Sequence, residues 1–183
     1  MFPVGGIGWM LLLAAAAALV CAAFGLMLAR WLGGLTGAFT AALLWSLVVI
    51  ALVTLLPTSP DPGIVPADAH ATTCSFDYGG PAPGGFWIFA GGQRLLNTVL
   101  FVPSGVFLVL TLASRRRMSW VLVPLGLVLL AAYSVGIEYT QLQLARIDRA
   151  CDVTDMVDNV SGALVGVVVG AVLALPLRFR RRP

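Results

Sequence analysis

Five apolar stretches, each long enough to cross a membrane, constrain this sequence more than any other feature. They lie near residues 7–28, 35–56, 95–113, 119–138 and 159–177. About 20 helical residues cover the ~30 Å hydrocarbon core of a bilayer, so each stretch predicts one transmembrane helix. We therefore expect an all-α membrane protein built as a bundle of five transmembrane helices.

The composition agrees with a membrane location. Of the 183 residues, 60% are hydrophobic and 10% are charged, whereas a soluble domain carries about 25% charged residues. This composition excludes a soluble globular enzyme, a disordered segment and a nucleic-acid-binding module. We expect the protein to contact membrane lipids and to bind no nucleic acid.

The arginines are segregated from the acidic residues, which predicts the orientation. Eight of the eleven arginines lie in the connections 29–34 and 114–118 and in the tail 178–183, where no acidic residue occurs. The other three arginines and all eight acidic residues fall on the opposite side. Because positive charge is retained on the cytoplasmic side during insertion, we expect a cytoplasmic C-terminus and an N-terminus outside.

The first apolar stretch has an alternative interpretation as a signal peptide. It lacks a basic residue before the apolar run, and it is longer than the usual apolar core of such peptides, about 7–15 residues. We therefore interpret residues 1–34 as an additional N-terminal transmembrane helix.

Polar residues at membrane depth are costly and usually face the bundle interior or a wet cavity. At 100° per residue, Ser134, Glu138 and Gln141 fall within about 60° of one another on a helix, so they form one polar stripe. Glu138 is the single glutamate of the chain. The alternative is an acid that reaches the membrane interface alone, but such an acid needs no polar neighbours one turn away. Asn97, on the third stretch, is expected to bond another helix.

A second polar group precedes the last apolar stretch. If a helix begins near Asp152, then Asp152, Asp155 and Asn159 share one face, at spacings of three and four residues. The group extends from Arg146 to Asn159 and also contains Asp158, and three acids together with Arg146 and Arg149 predict an arginine–carboxylate network. Two alternatives are helix capping by one aspartate and a divalent cation held by oxygen ligands; we predict no metal site.

Further along the same helix, Gly162, Gly166 and Gly170 form the small-xxx-small pattern that lets two membrane helices approach closely. We interpret these glycines as helix packing.

Cys74 and Cys151 lie in predicted outer loops, the first within the long loop 57–93. Disulfides persist outside the cytoplasm, so we predict a Cys74–Cys151 bridge; the alternative is two free thiols that never approach. With His70 as the single histidine and no lysine, the chain lacks the residues for a histidine-based triad or a zinc cluster. No cofactor is predicted.

Three ordered motifs resemble the VanZ-like family of bacterial membrane proteins. They are Asn97-x-x-x-Phe101-x-Pro103-x-Gly105, Ser134-x-x-x-Glu138-x-x-Gln141 and Arg149-x-x-Asp152-x-x-Asp155-x-x-x-Asn159-x-x-Gly162. The resemblance covers about 95–170 and implies a VanZ-like domain over 35–177, followed by the basic tail 178–183. The outer loop lacks the Asp-Lys…His pattern of many relatives.

The resemblance implies a multi-pass protein of the bacterial plasma membrane, in a family named for a teicoplanin-resistance accessory protein. The leading hypothesis is an outward-facing polar pocket that binds or modulates a lipid-linked or peptidoglycan-related envelope component, such as a cell-wall precursor or a glycopeptide-related ligand. The pocket residues are Asn97, Ser134, Glu138, Gln141, Arg149, Asp152, Asp155 and Asn159. The alternatives are an intramembrane enzyme acting on a lipid headgroup, with Glu138 as general acid or base, and a purely structural network.

Overall fold

The computed structural model describes residues 5–57, 73–79, 92–113, 116–143 and 151–179. Within these ranges the chain has five helices long and apolar enough to cross a membrane, and residues 73–79 are not helical. They are α1 (Ile7–Leu32), α2 (Gly34–Leu55), α3 (Gly92–Leu112), α4 (Arg116–Gln143) and α5 (Val153–Phe179). The predicted five-helix membrane fold is confirmed, and the protein is multi-pass.

Helices α4 and α5 extend beyond the apolar stretches that predicted them, at the ends that face each other. Helix α4 continues to Gln143 and α5 begins at Val153, whereas hydropathy placed these limits at 138 and 159. The added turns carry the polar residues of the predicted site, which bond across helices and so remain helical at the edge of the apolar region.

Helices α1 and α2 form a hairpin that turns at Gly33. The backbone φ of Gly33 is 89°, a left-handed conformation that glycine adopts without steric cost. Among the described helices, α1 packs against α2 alone, while α3 and α4 pack against each other and each also packs against both α2 and α5. The shared core of these four helices contains Ile50, Phe101, Leu108, Leu130, Ile137 and Ala163.

The closest helix pair is α3 with α5. A Cβ atom added to a glycine of α5 would meet a backbone carbonyl oxygen of α3. The facing pairs are Gly162 with Thr98, Gly166 with Val102, and Gly170 with Val106. The residue numbers of both helices rise by four from one pair to the next, so α3 and α5 run parallel. The predicted role of these glycines in helix packing is confirmed.

Candidate functional site

The predicted polar residues that the structure describes lie at one end of the bundle, where α2 and α4 end and α3 and α5 begin. We call it the polar end. Contacts from three helix pairs define it: Gln141 donates to the carbonyl of Thr54 at 3.0 Å, Glu138 accepts from the backbone of Asp152, and Arg94 pairs with Asp158.

The polar stripe of α4 points into the bundle. Ser134, Glu138 and Gln141 are each at most 3% exposed. Glu138 Oε2 accepts a hydrogen bond from the backbone N–H of Asp152 at 3.1 Å. The stripe therefore faces α2 through Gln141 and the start of α5 through Glu138, rather than the membrane interface.

Asn159 joins this stripe from α5. Its Nδ2 donates to Ser134 Oγ at 3.0 Å, and the residue is 3% exposed. Its Oδ1 is buried without a hydrogen-bond partner among the described residues. A buried acceptor left without a donor costs about 1–3 kcal/mol, so this oxygen is suited to accept a donor from a bound group.

Asp152 acts as a helix cap. Its Oδ1 accepts the backbone N–H of Thr154 at 2.8 Å, one of the N–H groups that have no partner inside a helix. One of its carboxylate oxygens is therefore used by the start of α5, and its own backbone N–H reaches Glu138.

Asp155 and Asn97 belong to the opposite side of α5. Asp155 lies beside the side chains of Asn97 and Gln93 on α3. The structure thus divides the predicted residues between two sides of α5: Ser134, Glu138, Gln141 and Asn159 lie between α2, α4 and α5, while Asp155 and Asn97 lie between α3 and α5. Arg149 lies outside the described residues.

The sequence reasoning missed a buried ion pair between α3 and α5. Arg94 donates to both carboxylate oxygens of Asp158, from Nε to Oδ2 at 2.8 Å and from Nη2 to Oδ1 at 2.6 Å. Asp158 is fully buried and Arg94 is 7% exposed. Asp158 stands four residues before Gly162, in the same row as the glycines, and this spacing was the available signal.

Residues 73–79, which we call the strap, cover this ion pair. Tyr78 Oη accepts from Arg94 Nη2 at 2.8 Å, and the Arg94 guanidinium lies 5.0 Å from the centre of the Tyr78 ring. The predicted Cys74–Cys151 disulfide is present, with the Cα atoms 4.5 Å apart. It joins the strap to the residues that precede α5.

The backbone also holds the strap in place. The N–H of Ser75 donates to the Cys151 carbonyl at 2.8 Å, and the Ser75 carbonyl accepts from the N–H of Val153 at 3.0 Å. These two bonds form an isolated parallel bridge between Ser75 and Asp152. The N–H of Gly79 donates to Thr154 Oγ1 at 3.0 Å. Within the described ranges, no group of three or more His, Cys, Asp or Glu side chains is placed to hold a metal ion.

Comparison with known proteins gives one match. A family model described as VanZ/LLP1 matches residues 43–174, from within α2 to near the end of α5. The matched range contains the predicted site residues, both disulfide cysteines and the Arg94–Asp158 pair, while α1 lies outside it. No curated protein and no solved structure matches the chain.

Proposed function

The chain belongs to the VanZ/LLP1 family, and from this premise we propose that its polar end binds the headgroup of a lipid-linked or peptidoglycan-related envelope component. The observation that carries the proposal is the buried cluster of Ser134, Glu138, Gln141 and Asn159, in which Asn159 Oδ1 has no donor among the described residues. A hydroxyl or amine of a bound headgroup supplies that donor.

The charge distribution supports an outward-facing site. The turn between α1 and α2, the start of α4 at Arg116 and the end of α5 at Phe179 lie at the opposite end of the helices from the polar end, and arginine-rich loops remain in the cytoplasm. In a bacterial plasma membrane this orientation directs the polar end to the outer leaflet, where envelope precursors are used. Arg149 is suited to a phosphate or carboxylate of the same ligand.

Glycopeptide resistance follows from this binding role. A protein that occupies or displaces a cell-wall precursor at the outer leaflet changes the access of teicoplanin to its target. This part of the proposal rests on the family resemblance alone, and it makes a lowered susceptibility to teicoplanin the expected phenotype.

Binding is tested with purified protein in nanodiscs and a polyprenyl-diphosphate-linked disaccharide pentapeptide as the probe, with phosphatidylglycerol as the comparison lipid. Wild type should retain the probe, and Asn159→Ala should bind it about tenfold more weakly, because a hydrogen bond with a buried group is lost. Thr140→Val is the matched control, since Thr140 bonds only within its own helix, and should bind normally. Equal binding by wild type and Asn159→Ala would contradict the proposal.

A second candidate function is catalysis on the same headgroup. The observation that favours it is the Glu138 carboxylate, which is 2% exposed and oriented by a backbone N–H, as a general acid or base must be positioned. The same incubations separate the two functions. Product released by wild type and not by Glu138→Gln indicates an enzyme, whereas intact probe recovered from both indicates binding alone.

A further inference from the structure

The strap contacts the polar residues on both sides of α5, and one disulfide, Cys74–Cys151, attaches the strap to the chain just before α5. Cys151 lies directly before Asp152, and the N–H of Asp152 is the donor that Glu138 accepts. On the other side, Tyr78 of the strap covers Arg94, the partner of buried Asp158. The position of the strap therefore bears on both groups of polar residues.

We propose that the Cys74–Cys151 disulfide is a redox latch, whose reduction by an external dithiol releases the strap from the polar end and withdraws the Asp152 N–H from Glu138. This inference rests on the proposed binding function, because it assigns regulation to the same site.

The exposure of the two cysteines sets the direction of the exchange. Cys74 is partly exposed and Cys151 is fully buried, so the thiolate of the dithiol attacks the sulfur of Cys74. The bond to Cys151 breaks, and Cys151 leaves as a thiolate that takes up a proton. The second thiolate of the dithiol then attacks the mixed disulfide and frees Cys74, so that the dithiol is oxidised as the protein disulfide is reduced.

The remaining contacts hold the strap weakly without the covalent bond. Among the described residues they include two backbone–backbone hydrogen bonds, one hydrogen bond from the N–H of Gly79 to the Thr154 side chain and the contact between Arg94 and Tyr78, and Tyr78 itself is 42% exposed. Such hydrogen bonds contribute about 0.5–1.5 kcal/mol each. The disulfide closes a loop with a sequence separation of 77 residues. Cross-linking a long loop lowers the conformational entropy of the unfolded chain and so stabilises the folded arrangement.

Amide hydrogen exchange, resolved to single residues in the full-length protein, tests the latch without any ligand. The variant is Cys74→Ser with Cys151→Ser, and the matched control is Cys21→Ala, which removes the free buried cysteine and keeps the bridge. In the double variant we expect the amides of Ser75, Gly79 and Asp152 to exchange at least about tenfold faster. Reduction of wild type with a dithiol should give the same change, and Cys21→Ala should not.

Two results would overturn the latch. Unchanged exchange at Ser75 and Gly79 would show that the strap stays docked without the disulfide. Faster exchange at these two residues with unchanged exchange at Asp152 would show that the strap is not coupled to Glu138. Exchange in the centre of α5, at Gly166, should be unchanged and reports that the bundle is folded. Because the hydrogen-exchange experiment uses no lipid probe, its result can be interpreted even if the binding proposal fails.

Discussion

At the scale of single residues, the ion pair between Arg94 and Asp158 places two opposite charges inside the bundle. Both groups are buried and joined by two hydrogen bonds. Such a pair is a poor source of stability compared with apolar packing, but removal of one partner leaves an uncompensated charge. The pair therefore fixes the rotation of α5, with Asp158 toward α3 and its neighbour Asn159 toward α4.

We predict that Asp158→Asn lowers the free energy of unfolding by about 3–5 kcal/mol, because Arg94 keeps a buried charge without its partner. Thermal or denaturant unfolding in detergent measures this change. Asp77→Asn, in the exposed part of the strap, is the control and should have little effect.

The double variant Arg94→Leu with Asp158→Leu separates charge from packing. Replacing both members of a buried pair by apolar residues is often neutral or stabilising, so it should recover most of the stability that Asp158→Asn loses. A double variant as unstable as Asp158→Asn would contradict the assignment of the loss to the unpaired charge.

At the scale of helices, the glycine row of α5 sets the distance to α3. We predict that Gly166→Ala destabilises the fold strongly, because its Cβ would collide with the carbonyl oxygen of Val102, and backbone cannot move aside as a side chain does. Gly136→Ala on α4 is the matched control, since nothing lies within 4 Å of its added Cβ.

The two variants should change the free energy of unfolding in different directions, with Gly166→Ala lowering it. Gly136→Ala should be neutral or stabilising by up to about 1 kcal/mol, the difference in helix propensity between the two residues. Equal stability of the two variants, measured by thermal unfolding in detergent, would contradict the close approach of α3 and α5.

Much of the helix-level structure could be predicted from the sequence, and the reasons are physical. The length of an apolar run identifies a membrane helix, and the periodicity of Ser134, Glu138 and Gln141 places them on one face. Cys74 and Cys151 were paired because both fell in loops on the same side. These predictions depend on local spacing or on sidedness, which one sequence contains.

The choice of partner across helices could not be predicted in the same way. Asp155 and Asn159 differ by four residues, yet Asp155 lies beside Asn97 on α3 and Asn159 donates a hydrogen bond to Ser134 on α4. Which neighbours they meet depends on how α5 is rotated against α3. The glycine row of α5 determines that rotation only once α3 is known to be the helix it packs against. Arg94 was overlooked for the same reason, since its partner lies 64 residues away.

At the scale of the whole molecule, the distribution of charge predicts the orientation. Single cysteines introduced into a cysteine-free background test it with a membrane-impermeant maleimide on intact cells. Phe76→Cys, at a strap position where Phe76 is 82% exposed, should be labelled, and Ser114→Cys, beside the arginine cluster at 115–117, should be labelled only after lysis. The reverse pattern would place the polar end in the cytoplasm and exclude the proposed ligand class.

The account as a whole depends on the polar end being a functional site rather than a structural network. A structural network predicts that every polar substitution lowers stability and that none alters a phenotype selectively. A binding site predicts at least one variant that folds normally and has lost its effect on the cell. Glu138→Gln preserves the shape of the side chain and one oxygen that can accept the Asp152 N–H, while it removes the titratable carboxyl, so it is the variant best suited to this distinction.

The most direct measurement is the teicoplanin and vancomycin susceptibility of a sensitive host expressing wild type or Glu138→Gln at matched membrane levels. Formation of the Cys74–Cys151 disulfide in the variant confirms that it has folded. We predict that wild type lowers susceptibility to teicoplanin and that folded Glu138→Gln does not. Equal protection by both proteins, or protection by neither, would contradict the functional role of the polar end.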